Sequence, residues 1–208
     1  MKKDVLFMKA KPSDGKNKKR FRVVIFGSAR IEDGDPNWDL IYDLAKRIAE
    51  EDMDVVTGGG PGLMNAASEG HNDGDISKNA QSIGLQIILP KKQVDSRHLD
   101  IKKEFYSFSE RLDNFIEFAN AVVVAPGGIG TMLEFFYTWQ LMQVKMIRDI
   151  PIILLGEMWP DFVQWMKKWQ LNNRLIEQKA MNLLFLVNNN DDALIIIKKA
   201  YEKFKIDD

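Results

Sequence analysis

The stretch Val122–Phe135, VVVAPGGIGTMLEF, runs from three valines and an alanine into a proline, and glycine then takes three of the next four positions. A threonine follows, and after it an apolar run that carries one acid. The first part reads as a buried strand, because β-branched residues suit a pleated surface and no polar residue interrupts them. The last part reads as a helix. Between them the backbone must turn sharply, and glycine permits both the turn and a close approach of other groups to the main chain. A strand, a glycine turn and a helix in that order form half of a crossover between parallel strands.

The same alternation extends in both directions. Arg22–Gly27 (RVVIFG) reads as a buried strand ending at a glycine, and Asp35 and Pro36 read as the cap and first residue of a helix. Trp38, Ile41, Leu44, Ala45, Ile48 and Ala49 then fall on one face of that helix. DVVT at Asp54 leads into GGGPG and LMNAASEG, SIGLQIIL begins at Ser82, and helices are expected at about 110–120 and 131–144 around the strand AVVVA. PIILL at Pro151, a helix near 159–171, LLFLV at Leu183 and a closing helix at about 191–204 complete the pattern. Continuous apolar strands alternating with amphipathic helices predict an α/β fold, a doubly wound, Rossmann-like parallel sheet with helices on both faces.

Length and composition agree. A chain of 208 residues with 45% hydrophobic and 28% charged residues suits one globular domain, expected over residues 21–208, and its apolar runs are of strand length. Residues 1–20 carry Lys2, Lys3, Lys9, Lys11, Lys16, Lys18, Lys19 and Arg20 against Asp4 and Asp14, and read as a solvated basic tail. Those scattered lysines leave no continuous apolar stretch of a secretory signal. Cysteine is absent, which excludes disulfides, thiol nucleophiles and cysteine metal sites and suits the cytoplasm. His71 and His98 stand far apart, so no His-rich metal site is expected, and a net charge of −1 gives no overall pull toward nucleic acid. His98, in SRHLD, reads as part of an exposed loop more than as a proton shuttle.

Of the fourteen glycines, four lie in GGGPG at 58–62 and three in GGIG at 127–130, each group after an expected strand. In an open α/β sheet such loops line the ligand crevice at the carboxyl ends of the strands. A helix N-terminus directly after a glycine turn adds free N–H donors and a favourable dipole, which together receive an anion such as phosphate. Neither turn is a Walker A loop, and neither has the dinucleotide G-x-G-x-x-G spacing with its distant acid, so a mononucleotide is the expected ligand. Thr131 and Glu134 also have the spacing of a capping box, in which each would satisfy the other's backbone.

PGGIGTMLE at Pro126–Glu134 resembles the Pro-Gly-Gly-x-Gly-Thr-x-x-Glu signature of the LOG family, phosphoribohydrolases of cytokinin riboside 5′-monophosphates often labelled lysine decarboxylases. GGGPGLMNAASEG at Gly58–Gly70 resembles that family's first glycine-rich turn, and FGSAR at Phe26–Arg30 the loop after its first strand. The resemblance covers residues 22–155. The plant-type enzymes place an Arg-Lys pair followed by a methionine where this chain has Arg111, Leu112 and Phe115, so the arginine carries over and the lysine and methionine do not. ERLDNFIEFANAVVVAPGGIGT is more similar to the catalytic domain of bacterial nucleotide 5′-monophosphate nucleosidases of the PpnN type.

The resemblance implies hydrolysis of a nucleoside 5′-monophosphate to free base and ribose 5-phosphate, with no metal or redox cofactor. It assigns the phosphate to the backbone of Gly127, Gly128, Ile129 and Gly130 with the Thr131 hydroxyl, and the sugar to Glu134. Arg111 becomes an electrostatic or leaving-group partner; on local sequence alone it would pair with Glu110 or Asp113. Ser28, Gly58, Gly59 and Gly60 would form the facing wall, Ser28 as a hydroxyl contact or merely as a turn residue. Glu69 and Asp113 are reserve acids. LEFFYTWQLM, apolar on more than one face, suggests a helix at a homodimer contact, while the Trp159–Trp169 stretch reads as core and interface. No membrane or nucleic-acid partner is expected. Two rivals remain: a non-catalytic binder of a phosphorylated ligand, like the molybdenum-cofactor carriers that resemble this family, and a pyridoxal-phosphate decarboxylase, for which no lysine stands in a telling context.

Overall fold

The computed structural model describes residues 20–90 and 94–207. Seven strands make one sheet: β1 (Arg22–Phe26), β2 (Asp54–Thr57), β3 (Ser82–Ile87), β4 (Ile101–Phe105), β5 (Ala121–Val124), β6 (Ile152–Leu155) and β7 (Leu184–Val187). Their order is β4-β3-β2-β1-β5-β6-β7 and every pairing is parallel. The chain steps outward from β1 to β4, then returns to lay β5 against the other side of β1, with Val24 facing Val56 on one side and Val122 on the other. The strand order therefore reverses between β1 and β5, which is where a sheet of this kind opens a crevice at its carboxyl edge.

The connecting helices are α1 (Pro36–Glu50), α2 (Leu63–Gly74), α3 (Phe108–Phe118), α4 (Ile129–Gln143), α5 (Trp159–Trp165), the short α6 (Gln178–Met181) and α7 (Asn190–Asp207). Successive strand residues point to opposite faces, and the core divides accordingly. Val23, Ile25, Val55, Val123 and Ile153 pack with residues of α1, α2 and α7. Val24, Phe26, Val56, Val122 and Ile152 pack on the other face with Phe115, Phe135, Trp139 and Trp159. Both faces of the central strands are thus covered, which is why those strands read as unbroken apolar runs.

Local chemistry sets the helix limits. Asp35 caps α1 by accepting the Asn37 N–H at 2.8 Å, with Pro36 at the first helical position, and Ile41, Leu44, Ala45, Ile48 and Ala49 are buried. α2 runs on to Gly74, past the expected LMNAASEG. His71, on its inner face, is buried, and its Nε2 lies 3.0 Å from the Met53 carbonyl; burial pushes its pKa down. His98 is exposed in the loop before β4. The helix begun by α5 continues as a π-helix over Met166–Leu171, with Trp159 and Met166 buried but Trp165 and Trp169 half exposed, so only part of that aromatic stretch enters the core. β4 is an element the sequence pattern does not signal: IKKEF carries exposed Lys102, Lys103 and Glu104, as an edge strand with one neighbour allows. Of the expected basic tail 1–20, residues 1–19 lie outside the described residues, whereas Arg20 is held to the sheet by its ion pair with buried Asp54 at 2.6 Å and is not part of a solvated tail. Among the described residues no helix is long and apolar enough to cross a membrane.

α1 and α2 approach so closely that a β-carbon at Gly70 would collide with the carbonyl oxygen of Tyr42, and one at Gly74 with that of Lys46. Both obstacles are backbone and cannot swing aside. Gly70→Ala is expected to lower unfolding free energy by about 1–3 kcal/mol in urea titration. Gly130→Ala, where a β-carbon meets no protein atom within 4 Å, is expected to leave it unchanged or slightly raised.

Candidate functional site

The crevice is framed by the loops after β1, β2 and β5, and the backbone of Ser28 ties them together. Its N–H donates to the Pro126 carbonyl at 3.1 Å and its carbonyl accepts the Leu63 N–H at 2.9 Å. Its hydroxyl accepts the Arg30 N–H at 3.1 Å, which closes a local turn. Gly62, at φ +69°, caps α2 and passes so near Ser28 and Ala29 that a side chain has no place there. The carbonyls of the first glycine turn are also held: Gly59 O accepts Gln86 Nε2 at 2.7 Å and Ser96 N–H at 2.8 Å, and Gly60 O accepts the Ser96 hydroxyl. Gly59 N–H donates to Thr57 Oγ1 at 3.1 Å.

On the other side, α4 begins at Ile129 with Gly128 as its cap, two residues before the Thr131 start that the sequence suggests. The first helical bond, Met132 N–H to Gly128 O, measures 3.0 Å. Thr131 is therefore the third helical residue and not the cap, so the Thr131–Glu134 spacing does not form a capping box. Gly128, Ile129 and Gly130 are exposed at the mouth, and Thr131 is buried beneath them with its side chain filling the space where a β-carbon of Gly127 would stand. No side chain caps this helix terminus, which leaves its first N–H groups pointing out of the helix with the positive end of the dipole.

Between these walls lies an ion pair. Arg111 on α3 donates from Nη1 to Glu134 Oε1 at 2.8 Å and from Nε to the Leu85 carbonyl at 2.6 Å. Its guanidinium carbon lies 4.8 Å from the Phe115 ring centre, and its far nitrogen presses on Gly58, where any β-carbon would displace it. The side chains of Arg111 and Glu134 are 8% and 13% exposed. Burial pushes the Glu134 carboxyl above the ordinary carboxylate range, and Arg111 pulls it back only in part through its charge and hydrogen bond.

The local partner expected for Arg111 is not used: its ion pair is with Glu134, and Asp113 instead accepts the Tyr137 hydroxyl. Glu69 bonds Asn65 at 3.3 Å. Thus the structure gathers Glu134, Arg111, Gly58, Gly59, Gly60 and Ser28 with the Gly127–Thr131 turn around one crevice. Gln86 and Ser96, which hold the first glycine turn, escape a reading by motif; the signal for Gln86 is a lone amide inside the apolar run SIGLQIIL. Among the described residues no group of three or more His, Asp or Glu side chains stands ready for a metal ion.

Sheet order, switch-point crevice and paired glycine turns define a Rossmann-like α/β protein. Within that class, the chain belongs to the family described as possible lysine decarboxylase, the LOG family, whose sequence profile matches residues 64–197. It is 32% identical over 161 residues to the probable cytokinin riboside 5′-monophosphate phosphoribohydrolase LOG4 of Oryza sativa subsp. japonica, covering 76% of this chain and 68% of that one. It is 28% identical over 151 residues to the pyrimidine/purine nucleotide 5′-monophosphate nucleosidase of Escherichia coli K12, covering 64% of this chain but only 30% of that protein. Its fold is shared with the molybdenum cofactor binding protein of Rippkaea orientalis, with a TM-score of 0.66 and 19% identity over 88% of this chain and 98% of that one.

Because Arg111 supplies the opposing pull on Glu134, Arg111→Gln is expected to move the carboxyl titration to higher pH. The side-chain ¹³C carboxyl shift of Glu134 followed through a pH series measures this; an unchanged midpoint would show that the pair does not set it.

Proposed function

We propose that the protein hydrolyses the N-glycosidic bond of nucleoside 5′-monophosphates, releasing free base and ribose 5-phosphate. The observation that carries this reading is the nearly buried Arg111–Glu134 pair set between two glycine turns at the switch point of the sheet. Such a reaction needs the phosphate held, the sugar fixed, and opposite charges placed where they develop, positive on the sugar and negative on the departing base.

The main chain of Gly127–Gly130 and the Thr131 hydroxyl at the start of α4 hold the phosphate. Glu134, little more than one turn deeper, faces the ribose. As a carboxylate it stabilises positive charge at the anomeric carbon and orients the water that adds there. The carbon–nitrogen bond breaks as that water adds, and the proton it loses ends on the base. Arg111 faces the leaving base and lowers the cost of its charge. Gly58, Gly59, Gly60 and Ser28 close the opposite wall.

The reading places the reaction in the cytoplasm, where free nucleotides are handled. It also takes the protein as a homodimer joined through the outer face of α4, where Leu133 and Phe136 are exposed.

Incubation with AMP, CMP and GMP, with free base followed by chromatography, tests the reading. Glu134→Gln is expected to keep the fold and the affinity for monophosphate while kcat falls about a hundredfold or more. Full turnover by this variant, or a wild-type protein that returns each monophosphate unchanged, overturns the hydrolase in favour of a binding protein. Since the carboxylate is the working form, wild-type kcat/KM is expected to fall as pH drops through the raised pKa of Glu134. In Arg111→Gln that acid limb lies at higher pH than in wild type.

A further inference from the structure

Building on the hydrolase reading, we propose that Met64 is an oxidation site whose sulfoxide draws Arg111 away from Glu134 and turns the reaction down. Met64 stands second in α2, directly behind the first glycine turn, and is half-buried where Leu63, Ala66 and Ala67 are fully buried. Its sulfur and the outer nitrogen of Arg111 converge on one point. A β-carbon at Gly58 would stand 2.7 Å from Met64 Sδ and 2.5 Å from Arg111 Nη2, so glycine keeps that gap open. Arg111 Nε donates to the Leu85 carbonyl and Nη1 to Glu134, whereas Nη2 bonds no protein acceptor among the described residues. A thioether accepts hydrogen bonds only weakly, so the reduced side chain makes little claim on that nitrogen.

A peroxide changes this. It transfers one oxygen atom to Met64 Sδ and leaves as water; the sulfur loses two electrons and no proton is released. The new oxygen is a strong acceptor one bond from the sulfur, within reach of the donors on Nη2. Arg111 is then divided between the sulfoxide and Glu134. Among the described residues Arg111 is the charged group that bears on Glu134, since Asp113 on the same helix accepts the Tyr137 hydroxyl instead. Weakening that pull lets burial hold the carboxyl protonated to higher pH. The chain contains no cysteine, so no thiol competes for the oxidant and methionine is left as its reversible sulfur target. Met53, Met142, Met166 and Met181 are buried in the core, while Met146 and Met158 are exposed and serve as internal references.

The test treats wild type and Met64→Leu with hydrogen peroxide, locates the sulfoxides by peptide mass spectrometry, and follows kcat/KM for monophosphate hydrolysis through a pH series. Oxidised wild type is expected to lose about tenfold or more on the acid limb, where one pKa unit is tenfold, and progressively less toward higher pH. Methionine sulfoxide reductase is expected to restore it. Met64→Leu is expected to keep its untreated activity although Met146 and Met158 are oxidised. Equal loss in Met64→Leu overturns the proposal, as does full activity with Met64 oxidised, a loss of the same size at every pH, or a Met64 left intact while Met146 and Met158 react. If Met64→Leu does not fold, Met64→Gln decides the matter, because its amide oxygen stands where the sulfoxide oxygen would. That variant is expected to move the acid limb to higher pH without oxidant, and an unmoved limb sinks the proposal. The ¹³C titration of the Glu134 carboxyl before and after oxidation keeps the two readings apart: a midpoint that rises supports Met64 even if wild type cleaves no monophosphate, and one that stays overturns it.

Discussion

Two opposite charges 2.8 Å apart where little solvent reaches constrain everything around them. Removing an arginine and a carboxylate from water costs several kcal/mol per ion, and their attraction offsets this only with good geometry and further hydrogen bonds. Arg111 has both: Leu85 supplies a carbonyl for Nε, the Phe115 ring supplies a face, and Gly58 supplies the space. Glu134 is less well served, since among the described residues its carboxylate bonds Arg111 alone, and its raised pKa expresses that imbalance. A well-packed apolar pair would often be as stable here or more so. Stability is thus a weak reason for the pair, whereas a carboxylate held dry and imperfectly compensated is poised to act on a charge that develops beside it.

The sheet order is what brings the partners together. Ser28, Gly58, Gln86, Arg111 and Glu134 lie about one βα unit apart along the chain, each at or just past the carboxyl end of a strand or inside the helix that follows. In a parallel sheet all those ends lie on one edge. The return of the chain from β4 to β5 then lays the Gly127–Gly130 turn next to the loop after β1, where the Ser28 backbone bonds to both neighbouring segments. Five segments remote in sequence become one crevice because strand direction never changes.

This explains what was legible in the sequence. Strands buried on both faces are apolar through their middles, so β1, β5 and β6 declare themselves by composition, and β2 by the two valines between its buried ends Asp54 and Thr57. β4 pairs on one side only and carries Lys102, Lys103 and Glu104 without penalty, so nothing in IKKEF distinguishes it from a loop. The glycine turns are legible as turns, but the Arg111–Glu134 contact spans 23 positions, and no local rule reaches that far. Local rules point elsewhere, to Glu110 or Asp113 for the arginine and to a capping box for the glutamate. Both fail for one reason: α4 starts at Ile129, which turns Glu134 inward toward α3 instead of back along its own backbone.

The helix starts themselves carry a further argument. α1 is capped by an aspartate side chain, whereas α2 and α4, which open on the crevice, are capped by Gly62 and Gly128 with no side-chain bond. Gly62 is required by its positive φ and its contact with the Ser28 loop. Gly128 and Gly130 are not: neither has a positive φ, and a β-carbon at either would meet no protein atom within 4 Å. Serine or aspartate at the cap would serve the fold better by a few tenths of a kcal/mol, and alanine inside the helix by up to about 1 kcal/mol. An aspartate cap, however, would occupy the free N–H groups and set a negative charge where the proposed function seats the phosphate, and a β-carbon at Gly130 would stand between the backbone and that anion. Helix stability is given up at the positions where, under the proposed function, the main chain of α4 receives a phosphate, and the fold alone offers no other reason for glycine there.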